Sequence, residues 1–211
     1  MKQLLFILII LCISFAGCSQ NNSPKVHIGG ACEGCEAIHE STVSFDKLKS
    51  IDTLTGFQEK GTKIAISGIV YKADGTTPAK DVVLYIYHTD QKGIYPRKGD
   101  EKGWGKRHGY IRGWIKTDEK GFYKFFTLKP ASYPGRKDPA HIHVTIKEPD
   151  KNEYWIDDFQ FDDDPILTAE LRKRQQNRGG NGIVKLKEAG HLMKAERNIY
   201  LGKNIPDYPK E

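Results

Sequence analysis

Apolar and polar residues alternate with a period of two through much of the chain, which is typical of strands that bury one face. The clearest case is residues 140–147, where Ile142, Val144 and Ile146 share one face of the predicted strand. β-branched and aromatic residues are concentrated in such segments, and turn-forming residues separate them. Strands are predicted over residues 62–71, 82–88, 110–117, 122–128, 140–147, 153–161, 183–186 and 193–201.

One helix is predicted to interrupt the strands. Residues 162–164 are acidic and Pro165 follows them, a pattern typical of a helix N-cap and first turn, so we expect a helix from there to about Gln176. Residues 91–110 and 130–139 are rich in Gly or Pro and predict long loops, which in a small domain are commonly functional. The predicted fold class is all-β: a β-sandwich of mainly antiparallel strands with one short helix and long active-site loops.

The first residues have the pattern of a targeting segment. Lys2 precedes an apolar run that is too short for a comfortable membrane span. The run ends in two small residues before Cys18, which resembles the lipobox of bacterial lipoproteins. We expect cleavage after residue 17, lipidation of Cys18, and a lipoprotein of the cell envelope, at the outer membrane or periplasmic face, that contacts the membrane through this lipid only. An ordinary signal peptide with a chance Cys is the alternative.

The domain boundaries follow from these segments. Residues 1–17 are predicted to be a lipoprotein signal peptide, residues 18–60 a lipidated tether and N-terminal segment, and residues 61–211 the sandwich domain. The N-terminal segment contains Cys32 and Cys35, and outside the cytoplasm such a pair tends to form a disulfide. Metal binding with His27 or His39, or redox activity, is the alternative for this pair.

Composition narrows the function classes. The chain has 211 residues with 38% hydrophobic and 28% charged residues, so disorder throughout is excluded. Its mean hydropathy of -0.58 excludes a polytopic membrane protein. The net charge is +6, but positive and negative residues are interspersed, and no basic surface with an aromatic platform is recognisable. We therefore predict no nucleic-acid partner.

Two histidines and two tyrosines are the sharpest candidates for chemistry. His141 and His143 alternate on one predicted strand, so both imidazoles face the same side and can reach one metal ion. Taken alone, this pair is more often a solvated strand face. Tyr95 and Tyr133 each precede a proline in the long loops. Two imidazoles with two phenolates form a nitrogen and oxygen ligand set without thiolate, and the hard phenolate anions favour Fe(III).

The order of short motifs in this region resembles the intradiol ring-cleavage dioxygenases, the family of catechol and protocatechuate 3,4-dioxygenases. The resemblance covers about half of the chain that would remain after cleavage. The matching motifs are Gly68-Ile69-Val70, residues 82–88, Gly93-Ile94-Tyr95, residues 112–118, residues 121–125, residues 127–130, Tyr133-Pro134, residues 139–143 and Asp162-Asp163-Asp164-Pro165.

The resemblance implies a fold, a cofactor and a reaction. The family is a β-sandwich with a non-haem Fe(III) held by two tyrosines and two histidines. The matching ligands are Tyr95, Tyr133, His141 and His143. The implied reaction cleaves a catechol-type small molecule with O2 to a muconate-type diacid, and Tyr133 is the ligand that the substrate displaces. Members often oligomerise, so a homo-oligomer is an open alternative to a monomer.

Charged residues near these motifs leave two readings open. Arg112 matches a family position and is a candidate catalytic residue, with pairing to an acidic neighbour as its alternative. Asp138 stands where members typically carry an Arg that steadies substrate charge, and Arg136 is the candidate substitute. A catalytically inactive sandwich lipoprotein that binds a catecholate ligand or a protein partner is therefore the alternative function. The predicted loop 91–110 also carries several cations, which form either a solvated surface or a surface that attracts a carboxylated catechol. These cations are Arg97, Lys98, Lys102, Lys106 and Arg107.

Overall fold

Two β-sheets form the framework of the protein. The computed structural model describes residues 27–210, so the predicted signal peptide and the predicted lipidation site Cys18 lie outside the described residues. Within this range there are twelve strands: β1 Ile51–Thr53, β2 Lys63–Tyr71, β3 Val83–His88, β4 Arg112–Lys116, β5 Phe122–Leu128, β6 His141–Lys147, β7 Tyr154–Trp155, β8 Phe159–Phe161, β9 Ile183–Val184, β10 Lys187–Ala189, β11 Leu192–Glu196 and β12 Ile199–Tyr200. Two short helices join them, α1 Gly105–His108 and α2 Ala169–Lys173.

The two sheets combine antiparallel and parallel pairing. The first has the order β1-β5-β2-β11-β10, with β12 also on β2, and the second has the order β4-β3-β6-β8-β9, with β7 also on β6. The long central pairs β2–β5, β3–β4 and β3–β6 are antiparallel, whereas β1–β5, β2–β11, β2–β12 and β8–β9 are parallel. The predicted all-β sandwich of mainly antiparallel strands is therefore confirmed.

Alternate residues of both sheets form one hydrophobic core. Ile64 and Ile66 of β2 pack in the same cluster as Ile142, Val144 and Ile146 of β6, and all five are at most 2% exposed. Burial of such aliphatic side chains contributes roughly 1.5–3 kcal/mol each. The alternation leaves His141 and His143 on the opposite face of β6, where they are only partly buried. The core thus fixes the face on which the two imidazoles stand.

The predicted helix at residues 162–176 is shorter and begins later. It comprises Ala169–Lys173, and Thr168 is its N-cap, accepting from the Leu171 amide. The acidic Asp164 does not cap it, because its carboxylate accepts from the Ala140 and Ile166 amides instead. Asp164 therefore joins the start of β6 to the turn that follows β8, a tertiary use that a local helix pattern does not reveal.

Several predicted strands also differ in extent. The segment 153–161 is divided into β7 and β8, and the segment 193–201 is divided into β11 and β12. The short strands β1 and β10 were not predicted, and neither was helix α1 in the loop 91–110. Strand β1 has three residues and pairs in parallel with β5, so only a partner distant in sequence defines it. None of the helices among residues 27–210 is long and apolar enough to cross a membrane.

The N-terminal segment covers the outer face of the second sheet. A 3-10 helix over Cys35–Glu40 places Ala37 and Ile38 against Val83 and Tyr85 of β3. Strand β3 is therefore buried on both faces. Cys32 and Cys35, the candidate disulfide pair, are joined by a disulfide at the start of this helix.

Candidate metal centre

Strand β6 presents two imidazoles side by side. His143 pairs with Tyr87 in the register of β3 and β6, and His141 pairs with Gln160 of β8. The His141 Nδ1–H donates to the Pro139 carbonyl at 2.7 Å, and the His143 Nδ1–H donates to Asp158 Oδ1 at 3.2 Å. These acceptors assign the tautomers, so both Nε2 atoms carry lone pairs. The two Nε2 atoms lie 3.1 Å apart.

Two loops bring tyrosines to the same place. Tyr95 follows a tight turn after β3, and Tyr133 lies in the loop between β5 and β6. The two loops touch at Gly93, where a Cβ atom would lie 2.0 Å from the Ser132 carbonyl oxygen. Gly93 also has a φ of 76°, which favours glycine. A glycine at this position therefore allows the two tyrosine loops to approach each other.

The four candidate donor atoms converge on one position. Tyr95 Oη contacts Tyr133 Oη directly and lies 2.9 Å from His143 Nε2. Tyr133 Oη lies 3.2 Å from both His141 Nε2 and His143 Nε2. Ligand atoms about 3 Å apart are the edges of a coordination shell with metal–ligand distances of about 2 Å. The donor set therefore fits one transition-metal ion, and its two phenol oxygens suit a hard, highly charged cation such as Fe(III).

The protonation of the two tyrosines depends on such a cation. Burial, followed by the neighbouring Tyr133 hydroxyl, raises the pKa of Tyr95 well above its ordinary range. Burial also raises the pKa of Tyr133. Without a bound cation both phenols hold their protons at neutral pH. A cation that binds here must replace those protons, because a coordinated ion is the dominant local charge.

Asp158 completes the site, and sequence reasoning missed it. Its carboxylate accepts from His143 Nδ1, and its second oxygen lies 4.0 Å from His141 Nε2. Burial alone would raise its pKa, but the electrostatic interaction and the hydrogen bond with His143 outweigh this, and the pKa lies below its ordinary value. His141, His143 and Asp158 form the group with metal-binding spacing among the described His, Cys, Asp and Glu residues. Asp158 follows Asp157 in the short segment between β7 and β8, and this pair of carboxylates carried no metal-binding signal in the sequence.

An aromatic stack supports His143 from the side. The ring of Tyr87 stacks on His143 with centroids 4.5 Å apart and on His108 with centroids 3.7 Å apart. His108 Nδ1 is hydrogen bonded to Tyr85 Oη at 2.8 Å. Burial lowers the pKa of His108 to about 4, so it is neutral at pH 7. This stack limits rotation of the His143 ring.

The two candidate catalytic arginines lie in different places. Arg136 lines a cavity of about 490 Å³ together with all four donor residues. Arg112 does not line this cavity, because its Nη1 donates to Glu40 Oε2 at 2.7 Å and its guanidinium lies 5.3 Å from the Trp114 ring. A catalytic role for either residue stays a prediction. The cavity volume falls in the range of about 300–1,000 Å³ typical of small-molecule sites.

Comparison with known proteins identifies the family. A family model described as "Dioxygenase" matches residues 33–189. The protocatechuate 3,4-dioxygenase beta chain of Burkholderia cepacia is 26% identical over 113 residues, which are 51% of this chain and 48% of that relative. The chain thus spans about half the length of this curated relative. It belongs to the intradiol ring-cleavage dioxygenase family.

Solved structures show the same fold. The dioxygenase domain of a dioxygenase carbohydrate-binding protein fusion from Streptomyces sp. SirexAA-E is similar with a TM-score of 0.54 and 21% identity, covering 77% of this chain and 95% of that chain. Catechol 1,2-dioxygenase from Acinetobacter sp. ADP1 has a TM-score of 0.54 and 18% identity, and the match covers 73% of this chain and 57% of that chain. An intradiol ring-cleavage dioxygenase from Tetranychus urticae has a TM-score of 0.51 and 22% identity, and the match covers 72% of this chain and 85% of that chain.

Proposed function

We propose that this protein is a non-haem Fe(III) intradiol dioxygenase that cleaves a catechol-type ring with O2 to a muconate-type diacid. The observation that carries the proposal is the convergence of two phenol oxygens and two imidazole nitrogens, with Tyr133 Oη 3.2 Å from both nitrogens. Membership of the dioxygenase family supports the same activity. The proposed ligands are Tyr95, Tyr133, His141 and His143.

The side chains divide the proposed work. Fe(III), when bound, would supply the Lewis acidity that draws electron density from the catechol and orients it toward O2. His141 and His143 are held in their ligating tautomers by the Pro139 carbonyl and Asp158. Tyr133 would be the ligand that the catechol displaces, and its phenolate Oη would then accept a substrate hydroxyl proton. Arg136, whose guanidinium lies 5.3 Å from the Tyr133 ring, favours the phenolate form.

A visible absorption spectrum of the purified protein loaded with iron tests the proposal. We expect a tyrosinate-to-iron charge-transfer band that shifts when catechol is added without oxygen and recovers as admitted oxygen is consumed. Tyr95→Phe and Tyr133→Phe are expected to change the band. A protein that stays colourless after iron loading would overturn the four-ligand assignment.

The alternative function is an inactive sandwich that binds a catecholate ligand. It is favoured by Asp138, which pairs with Arg136 at 2.7 Å and so occupies the guanidinium that lies over the Tyr133 ring. The same spectrum separates the two functions. A band that shifts with catechol while no oxygen is taken up supports the binding protein and argues against the dioxygenase.

We also propose that the protein is a lipoprotein anchored in the cell envelope through Cys18. The small residues Ala16 and Gly17 before that cysteine support this proposal. Cys18→Ala is expected to abolish labelling by a clickable fatty acid and to release the protein from the membrane fraction. The matched variant Cys12→Ala should leave both unchanged, because Cys12 lies within the segment that is removed. Labelling of the Cys18→Ala protein would refute the anchor.

A further inference from the structure

The charges that line the 490 Å³ cavity are unevenly placed. Beside the four donor residues, the charged side chains of its lining are Arg136, Asp138 and Asp158. One guanidinium therefore faces two carboxylates. The charge of the substrate must be compatible with this set, because unit charges a few ångströms apart interact appreciably even near a protein surface.

The cation of the cavity is already paired. Arg136 Nε donates to Asp138 Oδ2 at 2.7 Å, and its guanidinium also lies over the Tyr133 ring at 5.3 Å. The side chains of Arg136 and Asp138 are 68% and 46% exposed, so the pair stands at the rim of the cavity. A substrate carboxylate that approached Arg136 would have to displace Asp138 and would then lie beside it.

The second carboxylate is fixed by the site itself. Asp158 Oδ1 accepts a hydrogen bond from His143 Nδ1 at 3.2 Å. The Asp158 side chain is 29% exposed and lines the cavity. It cannot turn away from an anionic ligand without releasing His143. A carboxylate on the substrate ring would therefore meet like charge from both Asp138 and Asp158.

The cations of the preceding loop do not compensate. Arg107 pairs with Glu33 at 2.6 Å, and Lys98 lies 4.8 Å from the Tyr110 ring. Neither residue lines the cavity, nor do Arg97, Lys102 and Lys106. These five cations therefore offer no contact to a substrate carboxylate inside the cavity. Attraction of a carboxylated catechol at longer range stays a prediction.

We infer that the cavity selects catechols without an anionic ring substituent, and that Asp138 is the residue that determines this specificity. The inference rests on the proposed function and narrows its substrate class. Asp138 acts in two ways: it neutralises Arg136, and it adds a negative charge at the rim. An ammonium substituent is accommodated, since Asp138 can accept from it.

The test compares three ring substituents on the iron-loaded protein. The substrates are catechol, 3,4-dihydroxybenzoate and 4-(2-aminoethyl)catechol, and the readout is kcat/KM. We expect 3,4-dihydroxybenzoate to be at least about tenfold poorer than catechol, and the ammonium compound to be at least as good as catechol. Tenfold is the size of one charge-assisted contact at a partly exposed site.

Variants of the rim pair assign the selectivity. Asp138→Asn should raise the ratio of the 3,4-dihydroxybenzoate to the catechol kcat/KM by about tenfold, because Arg136 becomes free to bind a carboxylate. Asp138→Glu keeps the charge and should keep the ratio. Arg136→Gln combined with Asp138→Asn should remove most of the gain. An unchanged ratio in Asp138→Asn would overturn the assignment of Asp138.

Anaerobic binding of the same three ligands, measured by calorimetry, gives a readout that does not need turnover. The dissociation constants should follow the same order as kcat/KM. If catechol is cleaved and 3,4-dihydroxybenzoate binds and reacts equally well, the selectivity inference is wrong while the proposed function stands. If no ring is cleaved, the proposed function is wrong, and the ratio of dissociation constants alone decides the inference. If none of the three ligands binds, both are wrong.

Discussion

At the scale of single residues, Gly93 is the position on which the meeting of the two tyrosines depends. A Cβ there would lie 2.0 Å from the Ser132 carbonyl oxygen, a backbone atom that cannot move without moving Tyr133. Gly93→Ala is therefore expected to destabilise the protein by more than the roughly 1–2 kcal/mol of a left-handed alanine. It should also weaken iron binding. Chemical unfolding and iron titration measure the two effects.

Gly75 provides a matched control for this prediction. Its φ is 75°, nearly the same as at Gly93, but its added Cβ would meet nothing within 4 Å. Gly75→Ala should therefore show the conformational effect alone and should leave iron binding unchanged. Equal unfolding free energies for the two variants would contradict a role for the contact between the loops.

Asp158 acts on the candidate metal centre through the side chain of His143. It orients His143 through Nδ1, and partners of ligating histidines typically contribute 10–100-fold to metal affinity. Asp158→Ala is expected to lower iron affinity by about that factor, measured by competition with a chelator. Asp158→Asn keeps an acceptor for Nδ1 but loses the charge, so its affinity should be intermediate. An Asp158→Ala variant that binds iron with wild-type affinity would contradict the role of Asp158 in orienting His143.

At the scale of elements, the central strands and the site strand were predictable because their alternation coincides with burial. In β6 the buried Ile142 and Val144 flank His143, so the sequence itself separates the core face from the imidazole face. The helix was misplaced because Asp164 bonds the Ala140 amide, a contact across 24 residues. The ligand set of two tyrosines and two histidines was expected from the residue types and from the family resemblance. Periodicity did not predict it, since loop paths are not encoded by periodicity.

His88 connects the two sheets and makes stability depend on pH. Its Nδ1–H donates to the Thr89 carbonyl at 2.7 Å, and its Nε2 accepts from Thr127 of β5 at 2.7 Å. Burial lowers its pKa from 6.5 to about 4. Between these values the unfolded chain binds a proton that the native protein does not. The contribution of neutral His88 to the free energy of unfolding is therefore complete above pH 6.5 and is lost as the pH falls toward 4.

His88→Gln tests this dependence. The wild-type protein should lose about 1.4 kcal/mol of unfolding free energy per pH unit more than the variant between pH 6.5 and 4. Urea unfolding of both proteins in the presence of a chelator measures the difference. His108, whose pKa is also lowered to about 4, is present in both proteins, so its contribution cancels. Parallel pH profiles would show that His88 does not titrate in this window.

At the scale of the whole molecule, the N-terminal segment links the disulfide to the candidate metal centre. The Ile38 carbonyl accepts from Trp114 Nε1 at 2.7 Å, and Glu40 accepts from the Trp104 amide at 2.7 Å. Trp104 precedes helix α1, and the last residue of that helix, His108, stacks on Tyr87 beside His143. Order in the segment after Cys35 is therefore transmitted by contiguous packing to the back of the site.

Reduction of the disulfide should consequently weaken the fold without abolishing it. Closing a loop as short as Cys32–Cys35 corresponds to about 2 kcal/mol in the chain-entropy description, and the packing of Ala37 and Ile38 on β3 remains after reduction. We expect dithiothreitol to lower the unfolding free energy of the wild-type protein by about this amount in urea titrations. The double variant Cys32→Ser with Cys35→Ser should be as stable as the reduced wild-type protein, both with and without reductant. This result would assign the effect of dithiothreitol to Cys32 and Cys35 and not to Cys12 or Cys18. Equal stability of the oxidised wild type and the double variant would show that the disulfide does not anchor the segment.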